Sequence, residues 1–204
     1  MDFGELVKSV LTTPKEFFKG LKKEQGVKNA FTYYAVLSLI YTFLGFVMNY
    51  FFQPLNYAIQ SKIWGIPFQQ PVIPIWMTLV FTVIGYGIGL GASFVGAAIL
   101  HVWILIFGGK EEYSKTYQLS VYASTPILVL GWIPFVSFFA WIYNIFLLIL
   151  GTREIHKISD AKSIWMYLIP IILLLILVVA ILLILIPVFK TIPPLYQTMP
   201  QAYP

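Results

Sequence analysis

Between Lys162 and Lys190 the chain carries no charged residue, and the intervening sequence, SIWMYLIPIILLLILVVAILLILIPVF, is dominated by aliphatic side chains. An uncharged apolar run longer than about 18 residues predicts a bilayer-crossing helix, because a helix satisfies its own backbone hydrogen bonds in lipid. The rest of the chain fits this class, since 59% of its 204 residues are hydrophobic and only 10% are charged. The sequence therefore predicts an integral membrane protein.

The apolar runs predict an all-α, polytopic transmembrane helical bundle with five membrane segments. Their approximate spans are residues 30–52, 75–107, 116–131, 133–150 and 163–189. The second run would be about 50 Å long as a straight helix and exceeds a bilayer core of about 30 Å, so we expect it to tilt, break or protrude. The third and fourth runs predict a hairpin whose arms are near or below the length of a full crossing. A re-entrant hairpin is therefore the alternative.

Residues 1–29 predict short amphipathic helices before the transmembrane domain of residues 30–189, and we expect the proline-rich tail, 190–204, to be disordered. One face of the first helix is apolar, with Phe3, Leu6, Val7, Val10 and Leu11. In the second helix Thr13 can cap, Pro14 suits the first turn and Glu16 completes a capping box. Its apolar residues Phe17, Phe18 and Leu21 either pack under the bundle or lie on the membrane, where nearby lysines would meet anionic lipid.

The distribution of basic residues predicts the orientation in the membrane. Of the 13 lysines and arginines, six precede the first span, two lie in GGKEEYSK and three in GTREIHKISDAKSIW, against Lys62 and Lys190 on the other side. Because the side richer in Lys and Arg is cytoplasmic, we expect the amino terminus inside and the carboxyl terminus outside.

Few enzyme classes remain open to this chain. The predicted spans hold no Asp, Glu, Lys or Arg, which argues against a paired-aspartate intramembrane protease and against a pump that uses carboxylates. The chain has no cysteine, which excludes a thiol nucleophile. The segment GLGASFVG resembles the Gly-x-Ser of rhomboid proteases, with His101 the only histidine in a span. Ser93 and His101 are about 12 Å apart along one helix, which argues against an intramembrane protease. With two histidines and no ligand spacing we expect no metal or other cofactor, and no catalytic residue.

Small residues on the second span are better explained by helix packing. Overlapping small-xxx-small pairs allow another helix to approach closely, within one chain or between two copies. This glycine face comprises Gly85, Gly87, Gly89, Gly91, Ala92 and Gly96.

Uncharged polar residues inside the predicted spans favour a second function, a small channel or transporter. Polar groups at membrane depth are costly and often line solute paths. The candidate polar path comprises Asn49, His101, Gln118 and Asn144.

The stretch GTREIHKISDAKSIW includes every residue type that a hydrolase needs, yet it has no nucleophile elbow, phosphate-binding glycine loop or metal spacing. We interpret it as a solvated cytoplasmic turn. Together with the N-terminal helices and GGKEEYSK it could also form one face for a soluble partner or for lipid headgroups.

Three motifs, TPKEFF, YASTP and GTREIHKISDAKSIW, resemble in order and spacing those of the Yip domain family, integral membrane proteins that interact with Ypt/Rab GTPases. The resemblance covers nearly the whole chain and implies five membrane segments with a cytoplasmic amino terminus. YASTP is expected to kink the third segment, with Ser124 and Thr125 satisfying freed backbone groups. The motif residues are Thr13, Pro14, Glu16, Phe17, Phe18, Tyr122, Ala123, Ser124, Thr125, Pro126, Gly151, Arg153 and His156.

The resemblance implies a non-enzymatic protein, linked in eukaryotic relatives to vesicle trafficking, organelle shape and GTPase recruitment. This chain departs from those relatives, because it has no long acidic or proline-rich N-terminal region and no Asp-Leu-x-Gly-Pro segment. Its short form looks more like bacterial and archaeal members, which implies the plasma membrane of a prokaryote. We therefore expect a scaffold or bilayer-shaping protein that contacts lipid, a candidate soluble partner or a second copy, and no nucleic acid.

Overall fold

The computed structural model describes residues 2–64 and 73–191, with side chains up to residue 187 except that of Trp64. Across these ranges the chain is helical and contains no strand, which confirms the all-α prediction. The elements are α1 (Phe3–Thr12), α2 (Pro14–Gly20), a 3-10 helix (Leu21–Lys23), α3 (Lys28–Trp64), α4 (Ile75–Ile106), α5 (Tyr113–Ala123), α6 (Thr125–Leu130), α7 (Val136–His156) and α8 (Asp160–Thr191). Most of the tail predicted to be disordered, from residue 192 on, lies outside the described residues.

Four of the described helices are long and apolar enough to cross a membrane: Lys28–Ile63, Ile75–Ile106, Val136–His156 and Asp160–Pro187. The prediction of a polytopic bundle is confirmed, and the number of five spanning segments needs correction. Residues 116–131 do not form one spanning helix, because the chain breaks between Ala123 and Thr125 into two short helices, α5 and α6. Both pack along α7, so the predicted hairpin is present with one broken arm.

Helix α5 is the centre of the unit formed by residues 2–163. It contacts α3, α4, α6, α7 and the 3-10 helix, and eight of its eleven residues are buried. The long helices instead expose large apolar side chains, including Phe43, Phe81 and Phe139. Since exposed aromatic and aliphatic surface of this extent is suited to lipid, the arrangement is that of a membrane bundle with a polar centre.

The N-terminal helices pack on this bundle. Phe18 of α2 is fully buried, and Phe17 meets the ring of Tyr122 at 5.0 Å between centroids. The hydroxyl of Tyr143 in α7 donates to the Leu11 carbonyl at 2.7 Å, at the end of α1. The apolar face predicted to lie on the membrane or under the bundle therefore contacts the bundle, and the lysines of α2 remain exposed.

From Ile164 onward, α8 forms a second unit. It is one continuous helix to Thr191, although Pro170 and Pro187 lie inside it. Proline removes one backbone donor and clashes with the preceding turn, so we expect α8 to bend at these two positions.

Candidate functional site

The YASTP motif is the break between α5 and α6. Pro126 has no N–H, so an unbroken helix would leave the Tyr122 carbonyl without its usual donor. The Thr125 hydroxyl donates to that carbonyl at 2.6 Å, and the Ser124 hydroxyl donates to the carbonyl of Val121 at 2.7 Å. The Thr125 oxygen also bonds the Tyr33 hydroxyl at 2.9 Å. The break is therefore satisfied internally and tied to α3.

Lys115 holds the N-terminal segment in place. This side chain is only 8% exposed, and its ammonium donates to the carbonyls of Leu21 at 2.8 Å, Lys22 at 3.2 Å and Glu24. These carbonyls lie in and just after the 3-10 helix, whose terminal acceptors have no partner within the helix. A cation there also opposes the negative end of the helix dipole. Lys115 thus acts as a cap supplied from 91 to 94 residues further along the chain.

Two more side chains of α5 extend this contact. The Gln118 amide donates to the Gly26 carbonyl at 2.6 Å, and the Tyr122 hydroxyl lies 3.1 Å from both carboxylate oxygens of Glu24. Burial raises the pKa of Glu24, while the hydrogen bond from Tyr122 and the charge of Lys115 partly offset that rise. The segment that connects the 3-10 helix to α3 is therefore fixed at three points along α5.

A histidine–threonine–histidine chain joins α4, α5 and α7. The Thr116 hydroxyl lies 2.8 Å from His101 Nδ1 and 3.2 Å from His156 Nε2. One hydroxyl has a single proton and can donate to only one imidazole, so at least one of the two facing ring nitrogens carries a proton and donates to Thr116. His156 Nδ1 is buried without a hydrogen-bond partner among the described residues. The same residues include no group of three or more His, Cys, Asp or Glu that could hold a metal ion.

The stretch GTREIHKISDAKSIW divides between the core and the surface. Gly151 is buried, and a Cβ there would overlap Leu119 and lie 3.1 Å from Phe18, so α7 approaches α2 and α5 closely only because this residue is glycine. Arg153 instead pairs with Glu154 at 3.2 Å and with the exposed Asp160 at 3.3 Å. Lys157, in the left-handed region at φ 54°, ends α7. The geometry is that of a tight turn with one inward histidine.

Basic side chains concentrate at one end of this unit. The bonds of Lys115 and Thr116 bring together the 3-10 helix, the carboxyl ends of α4 and α7 and the start of α5. Around this meeting point the lysines are exposed, and together they form what we call the basic end: Lys15, Lys19, Lys22, Lys23, Lys110, Lys157 and Lys162.

The four candidate path residues lie in different surroundings. Asn49 lines a cavity between α3 and α4, whereas Asn144 donates to the Ala123 carbonyl at 2.7 Å. His101 and Gln118 are engaged with Thr116 and with Gly26 respectively. Ser93, the serine of the rhomboid-like segment, bonds the Leu90 carbonyl and the Tyr117 hydroxyl, so it and His101 have separate partners.

The glycine face of α4 is open in the described structure. A Cβ added at any of its five glycines would meet no atom within 4 Å. Its close contacts therefore remain a prediction.

Sequence reasoning missed Lys115, Thr116 and Glu24. The sequence places Lys115 in the loop GGKEEYSK, although its position at the edge of a long uncharged run indicates that it can be covered. Thr116 and Glu24 gave no local signal, because their partners are at least 15 residues away in sequence.

These observations define a class: an all-helical integral membrane protein, with several spanning helices and an N-terminal segment bonded to a polar core. The Yip1 domain family model matches residues 8–182, and the chain belongs to this family. No curated protein and no solved structure matches the chain significantly.

Proposed function

We propose that this Yip1-domain protein is a non-enzymatic membrane scaffold that gathers anionic lipid headgroups at its basic end and thereby shapes the cytoplasmic leaflet. One observation carries the proposal. The apolar face of the N-terminal segment is buried on the bundle through Phe18 and Leu21, while Lys15, Lys19 and Lys22 on its other side are exposed. The charge is therefore presented on a fixed support.

The support matters energetically. A lysine near an anionic membrane surface contributes about 1 kcal/mol. A disordered basic segment must also lose conformational entropy on binding, whereas a segment already bound to α5 has lost most of it. Lys115 supplies that attachment, and it is itself buried and unable to meet a headgroup.

The broken third segment supports a bilayer-shaping role. Helices α5 and α6 together with the N-terminal helices add cross-section at one end of the bundle, where α1 contacts α6 and α2 contacts α7. A protein wider in one leaflet than in the other favours curved membrane. In this arrangement the polar groups around α5 hold helices together, as their bonds to carbonyls and hydroxyls indicate.

We place the protein in the plasma membrane of a prokaryote with the basic end in the cytoplasm, following the excess of Lys and Arg. Helices α3, α4 and α8 each cross once, and the hairpin of α5, α6 and α7 returns to the end where it began. The termini are accordingly proposed to lie on opposite sides. Because the chain has no native cysteine, single cysteines at Lys22 and Lys62 would report sidedness with an impermeant maleimide.

The lipid proposal is tested with the full chain in vesicles of phosphatidylcholine containing a minority of phosphatidylglycerol. Energy transfer from tryptophan to a labelled lipid measures enrichment around the protein, and tubes pulled from giant vesicles measure curvature sorting. Replacing Lys15, Lys19, Lys22 and Lys23 by Gln should abolish most of both effects, while replacing all four by Arg should preserve them. Equal enrichment in the Gln and Arg proteins would refute lipid gathering and favour a soluble partner for this surface.

A further inference from the structure

A cavity separates α3 and α4 in the half of the unit away from the basic end. The two helices are tied together where the Tyr86 hydroxyl donates to the Ala35 carbonyl at 2.9 Å. Beyond this point a cavity of about 650 Å³ lies between them, and an adjoining one of about 470 Å³ continues toward α6. Volumes of 300–1,000 Å³ are typical of small-molecule sites.

The walls of this cavity are mainly apolar and carry several uncharged polar side chains. Thr42, Asn49 and Gln53 from α3 face Thr78 from α4, and no lining residue in the described part of the chain is charged. Within the described residues, none of these four side chains has a hydrogen bond to another protein group. A polar side chain inside a membrane-spanning helix, such as that of Thr42, is costly without a partner, so a polar occupant of the cavity would be favourable.

The depth of the cavity along α3 indicates which part of the membrane it opens to. Counting from Ala30, Thr42 lies about 18 Å and Asn49 about 28 Å along α3, so the cavity runs from mid-bilayer to the far surface. Its surroundings on both helices are exposed apolar side chains such as Phe43 and Phe81. A molecule dissolved in the leaflet opposite the basic end therefore reaches the cavity directly.

The lining chemistry selects an uncharged headgroup. Phosphate is bound most strongly by Arg or Lys side chains, and no described residue that lines the cavity is charged. The amides of Asn49 and Gln53 donate and accept, as do the threonine hydroxyls, which matches the hydroxyl and ester carbonyls of a glyceride. Phe46 and Ile75 provide apolar wall for acyl chains. We propose that this cavity binds one uncharged, hydroxyl-bearing lipid of the diacylglycerol class.

The test uses a diacylglycerol with a photoreactive diazirine in its acyl chain, added to the full-length protein in phosphatidylcholine nanodiscs. We expect crosslinks on α3 and α4 around the cavity, mapped by mass spectrometry. Unlabelled diacylglycerol should compete, and phosphatidylglycerol should not. Competition by phosphatidylglycerol with equal strength would overturn the proposed selectivity for an uncharged headgroup, and labelling spread evenly over all exposed apolar faces would overturn the site.

Matched glycine variants separate occupancy from folding. Gly45 lines the cavity and Gly91 does not, yet a Cβ at either would meet no atom within 4 Å. Gly45→Leu should therefore fold, fill the cavity and reduce crosslinking about tenfold, the loss expected for one to two hydrogen bonds and their apolar contacts. Gly91→Leu should leave crosslinking unchanged. Equal labelling of the two variants would refute the site, and this result is independent of the lysine-dependent function proposed for the other end.

Discussion

Replacing Lys115 by Met should release the N-terminal segment while leaving the bundle folded. The change removes three charge-assisted bonds to the carbonyls of Leu21, Lys22 and Glu24. Such bonds contribute about 1.5–3 kcal/mol each, but Met recovers the desolvation cost of the buried ammonium and the freed carbonyls can reach water. The net loss is then about 2–4 kcal/mol, which raises the open population of the segment about 30- to 900-fold.

Amide hydrogen exchange followed by mass spectrometry measures this opening. Peptides covering residues 13–27 should exchange faster in Lys115→Met by a factor in that range, while peptides of α4 and α7 should keep their protection. Lys110→Met is the matched control, because Lys110 is exposed in the preceding loop. If the two variants protect residues 13–27 equally, Lys115 does not hold the segment and the capping argument is wrong.

Three further predictions concern the packing around α5. Gly151→Ala should lower the free energy of unfolding by about 1–3 kcal/mol, because the added Cβ overlaps Leu119. Gly91→Ala, in open surroundings, should not lower it. Similar melting temperatures for the two variants would contradict the close approach of α7. Thr125→Val should cost about 1–2 kcal/mol, since it removes two buried bonds, and unchanged stability would show that they are not formed. Because burial raises the pKa of Glu24 from its ordinary 4.5, folding favours the protonated carboxyl, and stability should fall as pH rises from below 4.5 through the raised pKa. Glu24→Gln should flatten this dependence in melting curves, and an equal slope in both proteins would exclude Glu24 as its source.

Much of the fold follows from the spacing of charged residues. Uncharged runs locate α3, α4, α7 and α8, because a spanning helix must exclude charge over its length. YASTP also locates the α5–α6 break, since proline removes a backbone donor and hydroxyls can replace it. The prediction of one span over residues 116–131 is wrong, because apolarity alone does not distinguish a lipid-facing helix from one buried among other helices.

The polar centre was much less predictable. The position of Lys115 at the edge of an uncharged run indicates that it can be covered, but its partner, the Leu21 carbonyl, is 94 residues away and has no signal in the local sequence. His101 and His156 are joined through Thr116, a residue with no distinguishing pattern. The glycine face poses a different difficulty. Small residues predict that another helix can pack closely, but they do not indicate which helix does so.

The distance in sequence between the N-terminal segment and its partners has a consequence for synthesis at the ribosome. The Leu11 carbonyl is bonded to Tyr143, 132 residues later, and the hydrogen-bond donors Lys115 and Gln118 that hold the rest of the segment follow Glu112. At about 5–20 residues per second, the amphipathic helices leave the ribosome on the order of ten seconds before α7 exists. During that interval their apolar face is uncovered next to the membrane. The N-terminal segment is therefore the last part of this unit to pack. In a chain that stops before residue 143, the apolar face of this segment stays uncovered and can bind lipid.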